Sequence, residues 1–218
     1  MRIVIFGPQG AGKGTQAARI SERFSIPAIS TGEIFRWAMA GKTALGLRVF
    51  EYVDGGKLVP DDLTIHVVAD RLEAEDSRDG FLLDGFPRSI RQAEALDKMM
   101  ADQGASLDAA LVIDVPEEVS LRRILGRRAC LKCGRNYHID SPPKENWTCD
   151  ACGGQVAGRT DDIDERTIRQ RLALYHEQTE PLKTYYGDRG LLREVDGEGT
   201  TDEVFARIES ALESGSRG

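Results

Sequence analysis

Ile3-Val4-Ile5-Phe6-Gly7-Pro8-Gln9-Gly10-Ala11-Gly12-Lys13-Gly14-Thr15 opens the 218-residue chain with an apolar run, a glycine-rich loop and the start of a helix-forming stretch. The loop fits the phosphate-binding pattern G-x-x-x-x-G-K in its strand–loop–helix setting. Glycines let successive backbone N–H groups converge on an anion without side-chain clash. The following helix adds the partial positive charge of its N-terminus. Lys13 then reaches the terminal phosphates, which makes Gly10, Ala11, Gly12, Lys13, Gly14 and Thr15 candidate phosphate ligands. The position after the lysine, where Ser or Thr usually ligates magnesium, is Gly14. Magnesium is therefore expected to be held mainly by phosphates and water, with Thr15 bonding a phosphate oxygen. The loop specifies a nucleotide phosphate and leaves the reaction open.

Outward from this loop, further apolar runs stand at Phe81–Asp84 and Ala109–Val115, with a weaker one at Leu191–Val195. Amphipathic stretches rich in Ala, Glu and Arg separate them, at Thr15–Phe24, Asp61–Ala74, Ser89–Met100 and Pro116–Leu125. Pro116 suits a first helical turn, where its missing N–H costs nothing. Asp161–Tyr186 reads as a long polar helix or helix pair, and Glu213–Gly218 as a frayed tail. Apolar strands alternating with helices predict an α/β fold with a doubly wound parallel sheet.

The net charge of -7 and a pI near 5.1 argue against broad electrostatic nucleic-acid binding. No stretch approaches the roughly 18 apolar residues of a membrane span. Residues 3–6 are too short for a secretory h-region. The expectation is a cytoplasmic protein with small-molecule partners, no nucleic acid and no membrane.

One segment breaks the α/β rhythm. Between about Arg128 and Gly158 the composition turns to Cys, Gly, Pro, Asn and Lys, as an insertion between two helices would. All four cysteines lie there: Cys130, Cys133, Cys149 and Cys152, as C-x2-C and C-x2-C with fifteen residues between the pairs. That spacing suits a structural zinc site, since four thiolates complete a tetrahedron and leave no open position. Gly134, Gly153 and Gly154 suit the tight turns of the two knuckles. Iron accepts the same ligand set, and His138 or disulfides are the lesser alternatives.

Ser30-Thr31-Gly32-Glu33-Ile34-Phe35-Arg36, Gly56-Lys57-Leu58-Val59-Pro60 and Leu83-Asp84-Gly85-Phe86-Pro87-Arg88 with Gln92 follow the phosphate loop in order. Gly126-Arg127-Arg128, the cysteine segment and Val195-Asp196-Gly197 come after. Together these resemble the adenylate kinases among nucleoside-monophosphate kinases, of the type with a four-cysteine zinc-binding lid, over nearly the whole chain. The resemblance implies a P-loop NTPase-like, doubly wound, parallel five-stranded sheet with a small inserted lid. It implies a core over 1–126 with a monophosphate-binding insertion at about 30–60, a lid over 127–160, and the core continued over 161–218. A monomer is expected.

By the same resemblance, Thr31, Arg36, Lys57, Leu58, Val59, Gly85, Phe86, Pro87, Arg88 and Gln92 line the AMP site. The chemistry agrees: arginine forks onto phosphate, and the Gln92 amide carries both a donor and an acceptor for an adenine edge. Asn136, Tyr137 and Gly199 match ATP contacts. Asp84, at a strand's carboxyl end, is placed to hold a magnesium-bound water. Arg123, Arg127, Arg159 and Arg171 surround the transferred phosphoryl group, with Arg127 also on the ATP and Arg159 and Arg171 on the AMP. Arg123 and Arg127 share a face if the helix from Pro116 continues. The family run R-x-D-D-x-x-E-T is one residue longer here, over Arg159–Thr167, which leaves Arg169 as the alternative to Arg171.

The reaction implied is reversible transfer of the terminal phosphoryl group of Mg-ATP to AMP, giving two ADP. Kinases for UMP, CMP or GMP are the near rival. A non-catalytic zinc-dependent nucleotide or RNA-binding module is the distant one.

Overall fold

The computed structural model describes residues 1–54, 57–159, 162 and 165–214. Gly56 of the acceptor motif, most of the run 160–164 and the last part of the tail, 215–218, lie outside the described residues.

Five parallel strands form the central sheet: β1 (Arg2–Phe6), β2 (Ala28–Ser30), β3 (Phe81–Asp84), β4 (Ala109–Asp114) and β8 (Leu192–Asp196), in the order β2-β3-β1-β4-β8. Alternation along β1 sends Ile3 and Ile5 to one face and Val4 and Phe6 to the other, into two separate cores. The first core packs on α1 (Lys13–Phe24) and α9 (Thr201–Ser214). The second takes Val68 and Leu72 of α4 (Asp61–Leu72), Leu96 and Met100 of α5 (Ile90–Asp102), and Leu182 and Tyr186 of α8 (Leu182–Gly187). Burial on both faces is why these strands read as unbroken apolar runs.

Strand β2 was not legible beforehand, because three residues carry no period. Neither were α2 (Thr31–Ala40) and α3 (Ala44–Asp54), which enclose a satellite core of Phe35, Val49, Val59 and Leu63. Helix α9 was missed as well. It starts on a reciprocal cap in which Thr200 N donates to Glu203 Oε2 at 2.7 Å and Glu203 N to Thr200 Oγ1 at 3.3 Å.

Helix α6 (Glu117–Leu125) ends at its cap Gly126, and Arg127 begins β5 (Arg127–Cys130). Arg123 and Arg127 therefore do not share a helical face. The insertion is a small antiparallel sheet in which β5 pairs with β6 (Asn136–His138) and β7 (Val156–Gly158). After it, the expected polar helix pair is α7 (Glu165–Leu174), a π-helical turn over Tyr175–Thr179, and α8.

Candidate active site

The carboxyl ends of β1 and β3 open onto one cleft of about 1070 Å³, its mouth included. Gly7, Gln9 and Lys13 line one side; Thr31, Arg36, Lys57, Leu58, Val59, Gly85, Pro87, Arg88 and Gln92 line the other; Arg171 joins them. This is the switch-point position at which doubly wound sheets bind ligands. Phe86 is fully buried in the second core and is not among the residues that line the cleft.

The loop's conformation depends on its glycines. Gly10 has φ +80°, and a Cβ there would stand 2.6 Å from the Ser120 carbonyl oxygen. Gly12, at φ +94°, caps α1 in the left-handed region. Lys13 Nζ donates to the Gly7 and Pro8 carbonyls, each at 2.8 Å. Burial lowers the Lys13 ammonium to about 8, against a raising pull from Asp84, and Arg88, Arg127 and Arg171 push it down further. These cations share one electrostatic space, which an incoming polyphosphate would neutralise.

On the acceptor side, Thr31 Oγ1 donates to the Gly85 carbonyl at 3.0 Å, and Arg88 Nε donates to the same oxygen at 2.8 Å. Gly85 has φ +82°, and a Cβ would lie 2.9 Å from both Arg88 Nη2 and Thr31 Oγ1. A side chain there would strain the backbone and crowd both groups. Burial lowers the Arg88 guanidinium below its usual range. Gln92 is 2% exposed; its Oε1 accepts from Arg88 N at 2.8 Å, and its Nε2 donates to Asp61 Oδ1 at 2.6 Å. One N–H and one lone pair of that amide remain for a ligand. Asp61, which also accepts from Ser89 Oγ at 2.8 Å, is the anchor that sequence reasoning missed. Its only signal was a carboxylate at a helix start.

The arginines divide into groups. Arg127, Arg159 and Arg171 converge on Asp162, which is 3% exposed. Arg127 grips it at 2.7 Å through both Nε and Nη2, Arg171 Nη1 is at 3.3 Å, and Arg159 Nε is at 3.9 Å. Arg169 stands outside, on Glu165 and Glu117, with 54% of its side chain exposed. The extra residue before α7 therefore leaves Arg171 lining the cleft and Arg169 on the surface. Arg123 does not line the cleft. Its Nη1 is 3.5 Å from the Gly10 carbonyl, and Asp196 and Glu198 act on its charge.

The lid lies over the phosphate loop. A Cβ on Gly14 would be 3.5 Å from Asn136 Nδ2 and 3.8 Å from Asp84 Oδ2, so the bare position is where lid, loop and carboxylate meet. Tyr137 faces the other way: its hydroxyl donates to Cys149 Sγ at 3.3 Å and accepts from Asp150 N at 2.8 Å. The Tyr137 hydroxyl is thus engaged within the cysteine cluster. Gly199, at φ +109°, sits in the turn before α9.

The four cysteine sulfurs lie within 4.8 Å of one another and form no disulfide. Cys130–Cys152 and Cys133–Cys149 sulfurs are 3.5 and 3.6 Å apart. A thiolate tetrahedron around zinc, with bonds of about 2.3 Å, has edges of roughly 3.8 Å. The hydrogen bond from Tyr137 lowers the Cys149 thiol to about 6, toward the thiolate. Lys132 N and Cys133 N donate to Cys130 Sγ at 3.4 and 3.5 Å. Gly154 is compelled, since a Cβ would fall 2.9 Å from Cys130 Sγ. The donor set fits a tetrahedral cation with thiolate ligands.

Among the described residues, no helix is long and apolar enough to cross a membrane. A family model described as adenylate kinase matches residues 5–191. The chain is 51% identical to the adenylate kinase of Carboxydothermus hydrogenoformans over 214 residues, covering 98% of this chain and all of that one. It is 52% identical to the adenylate kinase of Clostridium acetobutylicum over 213 residues, 97% of this chain and 99% of that one. For the adenylate kinase of Clostridium tetani the identity is 51% over 213 residues, 97% and 98% of the two chains. The chain belongs to the adenylate kinase family and is an enzyme of that type.

Proposed function

We propose that the cleft carries the reversible transfer of the terminal phosphoryl group of ATP to AMP. The observation that supports this reading most is one cleft with a phosphate loop on one wall, an arginine-bearing acceptor pocket on the other, and Arg171 between. An AMP phosphate oxygen is already anionic near neutral pH, so no general base is needed. Lys13, Arg88, Arg127, Arg159 and Arg171 offset the negative charge that two nucleotides bring together and the charge spread over the phosphoryl group in flight. Arg123, beside Gly10, serves the donor nucleotide from the loop's outer side. Magnesium, when bound, neutralises donor phosphate charge; Asp84, facing Gly14, is the residue to hold it through water.

Thr31, Arg36, Lys57 to Val59, Gly85 and Gln92 orient AMP. Gly10 to Thr15, Asn136, Tyr137 and Gly199 orient ATP. Residues 1–126 and 161–218 act as the core and 127–160 as a lid whose closure excludes water. The four cysteines hold zinc as a brace for the lid, outside the chemistry. We assign the protein to the cytoplasm as a monomer without nucleic-acid or membrane partners. Initial rates with AMP, UMP, CMP and GMP as acceptors for Mg-ATP test the reading. ADP formation strongest with AMP is expected, and UMP, CMP or GMP outrunning AMP would reassign the acceptor.

A further inference from the structure

Among the described residues, two polar side chains bring a buried oxygen without a hydrogen-bond partner to the cleft, Gln9 and Tyr175. Gln9, third residue of the phosphate loop, lines the cleft with Lys13, Thr31, Arg88 and Arg171. Its Oε1 is buried and has no hydrogen-bond partner among the described residues. An unpaired buried carbonyl is costly, so an amide held this way is kept for its other end, the Nε2 donor. Nearby donors are engaged elsewhere: Lys13 Nζ on Gly7 and Pro8, Arg88 Nε on Gly85. The amide oxygen therefore does not brace the loop. Gln9 precedes the loop's anion-binding backbone and borders the acceptor pocket, so its amide stands where donor and acceptor phosphates meet.

We propose that Gln9 is a contact residue of the transferring phosphoryl group. The inference rests on the phosphoryl-transfer reading above. In the step, an AMP phosphate oxygen bonds to the terminal phosphorus of ATP. The bond from that phosphorus to its bridging oxygen breaks, the electron pair leaves on ADP, and no protein proton moves. In the orientation the structure shows, the carbonyl is the enclosed end of the amide, and Gln9 Nε2 donates to an equatorial oxygen of the group in flight. A neutral donor adds stabilisation there without another cation repelling Arg88 and Arg171.

The test is single-turnover rapid quench on Gln9→Ala and the isosteric Gln9→Glu, with Kd values for ATP and AMP measured separately. Loss of one such donor is expected to slow transfer roughly tenfold to a hundredfold in Gln9→Ala, with both Kd values within threefold of wild type. Gln9→Glu, which sets a carboxylate against the phosphoryl group, is expected to be slower still. A Gln9→Ala rate within twofold of wild type overturns the proposal, and so does a slower rate matched by equal losses in ground-state binding. Failure of the wild type itself to form ADP from ATP and AMP would instead sink the reading on which the proposal rests.

Discussion

Arg127 holds Asp162 by two contacts of 2.7 Å, the paired geometry in which a guanidinium grips a carboxylate most firmly. Asp162 is 3% exposed and also draws Arg171 and Arg159 toward itself. One buried carboxylate thus fixes three cations across the junction between lid and core. Loss of that carboxylate should therefore be felt in turnover, because a cation displaced by about 1 Å can cost a hundredfold in rate. Asp162→Asn is expected to lower kcat by about tenfold to a hundredfold while changing Kd for AMP less than fivefold. Steady-state kinetics with calorimetric binding would check it; a kcat within twofold of wild type would show that the arginines hold their places alone.

Arg88 and Arg123 make an instructive pair. Arg88 lines the cleft and is anchored on Gly85, whereas Arg123 lies behind Gly10. Arg88→Ala is expected to reduce turnover by about a thousandfold, as loss of an arginine on a transferring phosphoryl group does. Arg123→Ala is expected to cost about tenfold to a hundredfold, mostly as weaker ATP binding. A coupled ADP assay at several ATP concentrations separates the two, and an Arg123→Ala loss equal to that of Arg88→Ala would refute the division.

Why these groups were legible, and others not, has a physical basis. The loop 7–15 could be read because backbone geometry restricts its composition. The strands at 3–6, 81–84 and 109–115 could be read because burial on both faces leaves an unbroken apolar run. The knuckles showed because four cysteines able to meet around one ion must recur at a fixed spacing. Strand β2 was invisible, since Ala28–Ser30 is too short to have a period. Asp61 and Gln9 were opaque for another reason: their importance lies in partners far along the chain, Gln92 in one case and a ligand in the other. Arg127 looked helical because nothing in the residues around Gly126 announces that a strand begins. Register after the insertion was likewise a tertiary matter. Only the packing of α7 separates Arg171, in the cleft, from Arg169, on Glu165.

Lys13 makes nucleotide binding depend on pH. Burial lowers its ammonium to about 8, below the usual 10.5. A bound phosphate favours the charged form and raises that value, so the complex holds more proton than the free protein at and above pH 8. Binding therefore takes up protons there, and ATP affinity falls as pH rises through 8, by at most about tenfold per unit. Below pH 7 the lysine is charged in both states and this dependence vanishes. Calorimetry at pH 8.5 in buffers of different ionisation enthalpy should reveal the uptake, and Lys13→Met should abolish it. Equal proton uptake in Lys13→Met would assign the linkage to another group.

The metal knuckle should answer to Tyr137 more than to any part of the cleft. Its hydroxyl donates to Cys149 Sγ at 3.3 Å and is itself held by Asp150 N at 2.8 Å. Hydrogen bonds to a ligating sulfur steady it, and their loss typically weakens metal binding tenfold or more. Tyr137→Phe keeps the ring that packs on the small core of Cys130, Cys149 and Val156. It removes only the donor. The variant, purified with its metal, is expected to lose zinc to a chromogenic chelator about tenfold faster than wild type. Stripping the metal entirely should melt the knuckle first, because so few buried side chains hold it otherwise. Tm should fall, and lid amides near Cys149 should exchange faster than those of β1 and β4. Release from Tyr137→Phe at the wild-type rate would mean that the thiolates and backbone N–H groups hold the ion unaided.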